Sequence, residues 1–216
     1  MTSPAVQGFL RSIWLAGCRV LGLPAHLRTA DRQVLEQVIL PAYARRSDIT
    51  RVLFVGCASY TQHYSELFSE REYWTIDPVP RRRSHGGTRH IVDRLENLGR
   101  YAEPVYFDLI VCNGVLGWGL NTLDSAEAAF EACHRHLREG GELVVGWNDV
   151  PPRNRVAPDE VPALQRFEPM VFAPVETARL RIDAPQKHVF DFYRKGSAAA
   201  RNNFKNGPQA IVIKHL

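Results

Sequence analysis

The stretch RVLFVGCASY, from Arg51 to Tyr60, decides the fold of the chain. Its apolar run, Val52 to Val55, predicts a strand buried on both faces, and Gly56 predicts the tight turn that follows it. Nucleotide-binding sheets of two kinds begin in this way, and both place further glycines where this chain has Ala58 and Tyr60. The stretch therefore raises the question of whether this turn still forms a nucleotide site.

Strand-like and helix-like segments alternate along the rest of the chain. Further strands are predicted at residues 73–76, 90–92, 107–112 and 142–146, with helices at residues 61–68 and from Thr122 or Asp124 to Gly140-Gly141. Two later segments, 178–182 and 188–193, are typical of an antiparallel pair. The spacing predicts an α/β fold with a doubly wound, mostly parallel sheet of about seven strands.

The ends of the chain and a proline-rich segment add to this sheet. We expect an N-terminal helical cap at residues 1–48, in which Pro41 kinks or ends a helix that begins at Ala30. Residues 49–216 form the α/β domain, with a lid at about 148–175. An amphipathic helix within residues 6–21 docks on the domain, and flat contact with a membrane surface is its alternative.

Composition narrows the classes of protein. The formal net charge of +4 over 216 residues leaves an anionic small substrate open but does not favour nucleic acid. The four cysteines lack the spacing of a metal site, so we expect no metal and reduced thiols in the cytoplasm. No segment has the apolar length needed to cross a bilayer.

Ligands of open α/β sheets bind outside the carboxyl ends of the strands, so the residues just past each strand are the site candidates. Those residues are Gly56, Cys57, Ala58, Ser59, Asp77, Pro78, Asp93, Arg94 and Asn113. Asp77 lies about twenty residues beyond Gly56, where a carboxylate can accept both ribose hydroxyls; its alternative is a turn aspartate. Asp93 accepts from an adenine amine or caps the helical turn that follows it.

The motifs, in this order, resemble those of class I S-adenosylmethionine-dependent methyltransferases. The similar pieces, within residues 49–146, are RVLFVGCAS, YWTIDP, HIVDRLENL, FDLIVCNGVLGWG and HLREGGELVVGW. The resemblance implies a Rossmann-like fold, S-adenosylmethionine as cofactor, and methyl transfer. By position, Gly56 to Ser59 would line the methionine part, Asp77 would hold the ribose, Asp93 and Arg94 would face adenine, and Asn113 would border the reacting methyl group.

Two departures from the family pattern concern the methionine part. The family usually has an acidic residue, which positions the ammonium group of the cofactor, where this chain has Phe54, and it usually has glycines where this chain has Ala58 and Tyr60. Tyr60 needs a negative φ to avoid strain. The resemblance thus implies intact ribose and adenine ends beside an altered methionine end.

The substrate and the catalytic residues stay open. The turn Asn113-Gly114-Val115-Leu116 lacks the prolines and aromatic ring of base-modifying methyltransferases. His63 and Asp149 are candidates for a general base, and no catalytic residue is assigned. Four aromatic side chains either line a pocket for a small organic substrate or pack in the core: Trp118, Trp147, Phe167 and Phe172.

The basic run Arg81-Arg82-Arg83 either grips an anionic group or lies in a solvated loop. Our first hypothesis is O- or N-methylation of a small organic substrate. The alternative is a protein of this fold that binds a nucleoside or a partner without catalysis. A nicotinamide-dependent dehydrogenase is disfavoured because the turn after Gly56 lacks two of its three glycines.

Overall fold

The computed structural model describes residues 29–196 and the backbone of residues 211–213, so the amphipathic helix expected within residues 6–21 lies outside the described residues. The strands are β1 Arg51–Val55, β2 Glu72–Ile76, β3 Arg89–Ile91, β4 Phe107–Asn113, β5 Leu137–Asn148, β6 Glu168–Pro169, β7 Arg179–Ile182, β8 His188–Arg194 and β9 Ile211–Ile213. The helices are α1 (residues 30–44), α2 Tyr64–Leu67 and α3 Leu123–His136.

The nine strands form one sheet in the order β3-β2-β1-β4-β5-β8-β7-β9, with β6 paired to β8. Strands β1 to β5 are parallel, and β8 is antiparallel to both β5 and β7. The predicted α/β class, with a mostly parallel sheet and an antiparallel C-terminal pair, is confirmed. The short strands β6 and β9 account for the difference from about seven strands.

Helix α1 passes through Pro41 and continues to Ala44, so of the two expected effects, a kink or an early end, the proline does not cause the early end. Its α-helical ends, Ala30–Val34 and Leu40–Ala44, flank a π-helical turn, Leu35–Ile39. A proline ring clashes with the carbonyl four residues before it in a regular α-helix. The wide turn directly before Pro41 changes that spacing, which lets the helix continue.

The apolar stripe of α1 packs into the cluster that covers one face of the sheet, together with Val52 and Phe54 of β1. Its buried members are Val34, Leu35, Ile39 and Leu40. The described part of the predicted cap therefore shares a core with the sheet, while the boundary at residue 48 stays a prediction. Within the described residues no helix is long and apolar enough to cross a membrane.

Helix α3 covers the other face and is shorter than predicted. Its N-cap is Thr122, one of the two predicted starts, and the Thr122 side chain accepts a hydrogen bond from Ser125 N–H. It ends at His136 instead of at Gly140-Gly141, because β5 begins at Leu137 and Gly140 adopts a φ of +71° inside that strand. Helix α2 is likewise a single turn, four residues long, instead of the predicted eight.

The proline-rich segment packs against α3. Val161, Ala163, Leu164 and Phe167 join the cluster that contains Phe130 of this helix. The carboxylate of Glu127 accepts the Ala163 N–H at 2.8 Å. These contacts hold the middle of the predicted lid on the surface of helix α3.

Candidate functional site

A cavity of about 650 Å³ opens at the carboxyl edge of the parallel strands. Eight of the nine predicted site residues line it: Gly56, Cys57, Ala58, Asp77, Pro78, Asp93, Arg94 and Asn113. Ser59, the ninth, is buried beside the turn and does not line the cavity. Because the strand order is β3-β2-β1-β4-β5, the residues that follow the strands lie along the edge in the order Asp93, Asp77, Gly56, Asn113.

The turn after β1 is formed without strain despite its missing glycines. Gly56 has a φ of +86°, and a Cβ atom there would lie 3.2 Å from the Val115 side chain. Among the described residues the non-glycine positions with positive φ are Val105, Glu176 and Lys187, so Ala58 and Tyr60 are not among them. Tyr60 therefore avoids the positive φ that would strain a residue other than glycine.

Asp77 ties the turn after β1 to the turn after β2. Its side chain is 1% exposed, and Oδ2 accepts the Cys57 N–H at 2.8 Å and Arg82 Nη1 at 3.0 Å. Oδ1 accepts the Val79 N–H at 2.9 Å. A carboxylate offers about four lone-pair positions, so this turn aspartate keeps capacity for one more donor from the cavity.

Asp93 precedes the helical turn Leu95–Arg100, whose N-cap is Arg94, and it contacts this turn through the Asn97 side chain, not as the cap considered as its alternative role. Oδ1 accepts from Asn97 Nδ2 at 2.8 Å and from the Arg94 N–H at 2.7 Å. The hydrogen bond from Asn97, followed by that from Arg94, holds the pKa of the Asp93 carboxyl below its usual value. Asp93 also lines the cavity, so its contacts with the helical turn are compatible with a ligand contact.

Helix α1 brings Asp31 and Arg32 to the cavity, which the sequence did not predict. Arg32 is 8% exposed, and its Nη1 donates to the Tyr64 hydroxyl at 2.9 Å. Its guanidinium carbon lies 4.5 Å from the centroid of the Tyr60 ring, at cation–π distance. An adjacent acid–base pair at the first turn of a helix is too common a pattern to indicate a ligand site from the sequence.

His188, the first residue of β8, contacts with its side chain the last residues of both β4 and β5. Its Nε2 is 3.1 Å from Asn113 Oδ1, and its Nδ1 is 2.6 Å from Asn148 Oδ1. Burial, reinforced by Arg32 and opposed by Asp31, lowers the pKa of His188 to about 4, so the ring is neutral near pH 7. A neutral ring has one N–H, so one of the two amides presents its NH₂ group to the ring.

Gly146 makes room for this cluster. A Cβ atom at this position of β5 would lie 1.8 Å from Asn113 Oδ1 and 3.0 Å from His188 Nε2. Gly146 is directly opposite Asn113 in the β4–β5 pair, so its missing side chain lets the amide cross the strand. Sequence analysis missed His188 because a single histidine at the start of a strand carries no pattern.

The two candidates for a general base lie away from the cavity lining. Asp149 accepts from Arg181 Nη1 at 2.7 Å, and this hydrogen bond holds the pKa of the Asp149 carboxyl below its usual value. His63 Nε2 lies 3.8 Å from Glu36 Oε1.

Of the four aromatic candidates, Trp118 lines the cavity and is 56% exposed, with the Arg153 guanidinium 3.4 Å from its ring centroid. The others pack in the two cores: Trp147, Phe167 and Phe172. Asn148, the first residue of the predicted lid, lines the cavity.

The described residues contain no group of three metal-ligating side chains. Burial raises the pKa of the Cys57 thiol to about 12, so the cysteine at the cavity is protonated near pH 7. The cavity therefore offers carboxylates, one buried guanidinium, amides and a neutral imidazole as its polar groups.

Residues 53–145 match the model of a protein family described as a methyltransferase domain. No curated protein matches the chain in sequence.

The fold is similar to those of several crystal structures. The N-methyltransferase NodS from Bradyrhizobium japonicum WM9 is 18% identical, with a TM-score of 0.58, and the match covers 77% of this chain and 97% of NodS. A SAM-dependent methyltransferase from Methanosarcina mazei is 12% identical, with a TM-score of 0.56, and the match covers 74% of this chain and 97% of that one.

A third similar structure is 1,6-didemethyltoxoflavin-N1-methyltransferase from Burkholderia thailandensis, which contains its substrate and S-adenosylhomocysteine. It is 16% identical, with a TM-score of 0.50, and the match covers 91% of this chain and 92% of that one. NodS has also been crystallised with S-adenosylhomocysteine, the product that S-adenosylmethionine leaves after losing its methyl group. Residues 53–145 thus match a methyltransferase domain in sequence, and the described residues have a fold similar to those of S-adenosylmethionine-dependent methyltransferases.

Proposed function

We propose that the cavity binds S-adenosylmethionine and transfers its methyl group to the nitrogen or oxygen atom of a small organic substrate. One observation carries the proposal: residues that follow four neighbouring strands line a single cavity, in the order in which an adenosine, a methionine and a methyl acceptor would lie. The alternative, binding of a nucleoside or a partner without catalysis, rests on the altered turn after β1.

The adenosine end lies at β2 and β3 in this proposal. Asp77 accepts a ribose hydroxyl beside Pro78, while Asp93 and the backbone of Arg94 border adenine. Arg82, which pairs with Asp77, has an exposed side chain, so a ribose hydroxyl can replace Arg82 at the Asp77 carboxylate. Gly56, Cys57 and Ala58 then lie beside the methionine chain.

The acceptor end lies at β4, β5 and β8. The sulfonium activates the methyl group, and alignment of the acceptor with it can contribute about 7–11 kcal/mol to lowering the barrier. The amide of Asn113 orients the acceptor, and His188 is a positioning residue because it holds that amide from the other side. Trp118 at the rim offers a flat apolar surface to an organic substrate.

The size and lining of the cavity favour a small substrate. One protein of similar fold binds 1,6-didemethyltoxoflavin, a small molecule, at its site. An anionic substrate stays a prediction, because Arg82 is the member of the arginine run that lines the cavity and it pairs with Asp77. A cytoplasmic location also stays a prediction.

Calorimetric titration of the purified protein with S-adenosylmethionine, S-adenosylhomocysteine and NAD tests the cofactor. We expect the first two to bind and Asp77→Asn to weaken S-adenosylhomocysteine by about 10- to 100-fold, because a hydrogen bond to a charged group is worth about 1.5–3 kcal/mol. Asp183→Asn, an exposed aspartate away from the cavity, is the matched control. Binding of NAD alone, or of none of the three, would contradict the proposal.

Methyl transfer is tested separately from binding. We would incubate the protein with S-adenosylmethionine and a panel of small amines, phenols and carboxylic acids, and measure S-adenosylhomocysteine formation. We expect turnover with a member of the panel and a lower kcat for Asn113→Ala than for the parent protein. Cofactor binding with no turnover across the panel would favour the non-catalytic alternative.

A further inference from the structure

We propose that Asp31 and Arg32, at the start of α1, hold the amino-acid end of S-adenosylmethionine, with Arg32 binding its carboxylate and Asp31 its ammonium group. This inference rests on the proposed function and assigns the part of the cofactor for which the turn after β1 is altered. Both residues line the cavity, and opposite charges on adjacent residues suit a zwitterion.

The first argument is the environment of Arg32. A guanidinium has five N–H donors, and its partners within the described residues are the Tyr64 hydroxyl and the face of the Tyr60 ring. No carboxylate of the described residues forms an ion pair with it, although its side chain is nine-tenths buried. A buried charge is costly unless it is paired, so the Arg32 donors that have no partner among the described residues favour an anionic ligand in the cavity.

The second argument is where Arg32 lies along the sheet edge. It contacts Tyr60, in the turn after β1, and its Nη2 lies 4.0 Å from the position of a Cβ atom on Gly114, just past β4. Strand β1 separates β4 from β2 in the sheet, and β2 leads to Asp77. Arg32 and Asp77, the proposed ribose ligand, therefore lie on opposite sides of β1. The methionine chain of the cofactor would end on the side of Arg32.

The third argument concerns the two departures from the family pattern. Phe54 replaces the usual acid and packs edge-on against Tyr64, with ring centroids 5.2 Å apart. The Tyr64 hydroxyl accepts from Arg32 and donates to Glu36 Oε1 at 2.7 Å. Tyr60, in place of glycine, provides the ring against which Arg32 lies. The altered residues thus support the guanidinium, and Asp31 supplies a carboxylate from α1 where β1 supplies none.

The test compares two ligands that share the adenosine part. S-adenosylhomocysteine carries the amino-acid end, and 5′-methylthioadenosine lacks it. We expect Arg32→Met to weaken S-adenosylhomocysteine by about 30-fold or more, as loss of one partner of a buried charge pair does. The affinity of the variant for methylthioadenosine should differ from that of the parent protein by less than about twofold. Retained binding of this ligand would also show that the variant is folded. Arg81→Met, an exposed arginine outside the cavity, is the control.

Two further variants separate the parts of the site. Asp31→Asn should weaken S-adenosylhomocysteine about 5- to 10-fold, the effect of one partly exposed charge contact, and leave methylthioadenosine unchanged. Tyr60→Leu should weaken S-adenosylhomocysteine about threefold or more through loss of the cation–π contact, whereas Tyr60→Phe should not.

Three outcomes overturn the inference while leaving cofactor binding intact. They are unchanged binding of S-adenosylhomocysteine to Arg32→Met, an equal loss for both ligands in that variant, and equal affinity of the parent protein for the two ligands. Failure of the parent protein to bind either ligand would instead remove the proposed function itself. If Arg32→Met does not fold, the pair Tyr60→Leu and Tyr60→Phe decides by the same comparison.

Discussion

The two edges of the parallel sheet contain similar polar residues that are satisfied in different ways. At the amino edge, Asp108 Oδ2 accepts the N–H groups of Thr50 and Arg51, each at 2.8 Å, and Oδ1 accepts from Arg138. Glu142, 1% exposed, is paired with Arg46 and Arg194. Every one of these carboxylates has its partners within the chain, so this edge is structural.

The carboxyl edge keeps unused hydrogen-bonding capacity next to a cavity. Asp77 accepts from two backbone N–H groups and from an exposed arginine that can move away. Arg32 is buried without a carboxylate partner among the described residues. The comparison teaches that the residue types alone do not distinguish a ligand site from a structural cluster, whereas the completeness of their partners does.

The largest expected effect is at the amino edge. Asp108→Ala leaves two backbone N–H groups and Arg138 without their acceptor, and we expect it to lower the free energy of unfolding by about 3 kcal/mol. Urea unfolding measures this loss, and Asp108→Asn, which retains one oxygen, should lose less. We expect the affinity of the folded variant for S-adenosylhomocysteine to be unchanged. A large loss of affinity would show that the two edges are not independent.

The next effect concerns His188 and the pH dependence of stability. The pKa of the ring is about 4 in the folded chain and about 6.5 when unfolded. Between these values the unfolded chain binds a proton that the folded chain does not, so stability falls as the pH is lowered from about 6.5 towards 4. At pH 5 we expect this group to account for a loss of about 2 kcal/mol.

Urea unfolding of the parent protein and of His188→Gln, at pH 7.5 and at pH 5, checks this expectation. The loss between the two pH values should be smaller in the variant by about that amount. Equal losses would mean that His188 is protonated in the folded chain at pH 5, and that its ring is not held neutral by burial.

The smallest effect concerns Arg82, which would compete with the ribose for Asp77 in the proposed complex. Its side chain is 43% exposed, and an ion pair with such an exposed partner is worth about 0–1 kcal/mol. We expect Arg82→Ala to tighten S-adenosylhomocysteine binding by up to about fivefold. Arg83→Ala, outside the cavity lining, is the calorimetric control. Weaker binding in Arg82→Ala would show that this arginine contacts the cofactor instead of competing with it.

The sequence predicted the features that depend on neighbouring residues. The strands that begin near Val52, Tyr73 and Phe107 have an apolar pattern dense enough to locate them, and the turn residues that follow them line the cavity. Helix ends were less predictable: Gly140-Gly141 resembles a helix stop, yet Leu137 already has extended backbone angles and begins β5. A glycine pair fits either a cap or an irregular strand, and only tertiary pairing decides.

The residues that the sequence missed come from elements distant along the chain. Arg32 precedes the first strand of the sheet, and His188 lies 75 positions after Asn113, its partner. Neither has a local pattern, because their environment is created by the packing of α1 and the reversed direction of β8. Packing against α3 and β8, also distant along the chain, explains the burial of Trp147 and Phe167, whose size suited a pocket as well as a core.

The reversed direction of β8 has a consequence for how such a protein diversifies. A strand that runs against its neighbours brings its first residue, and the connection that precedes it, to the rim where the other strands finish. Residues 149–187 therefore join Asn148 to His188, which are hydrogen-bonded to each other at the proposed acceptor end. Insertions or deletions within that connection could reshape substrate choice while the adenosine-facing turns, encoded before residue 114, keep their form.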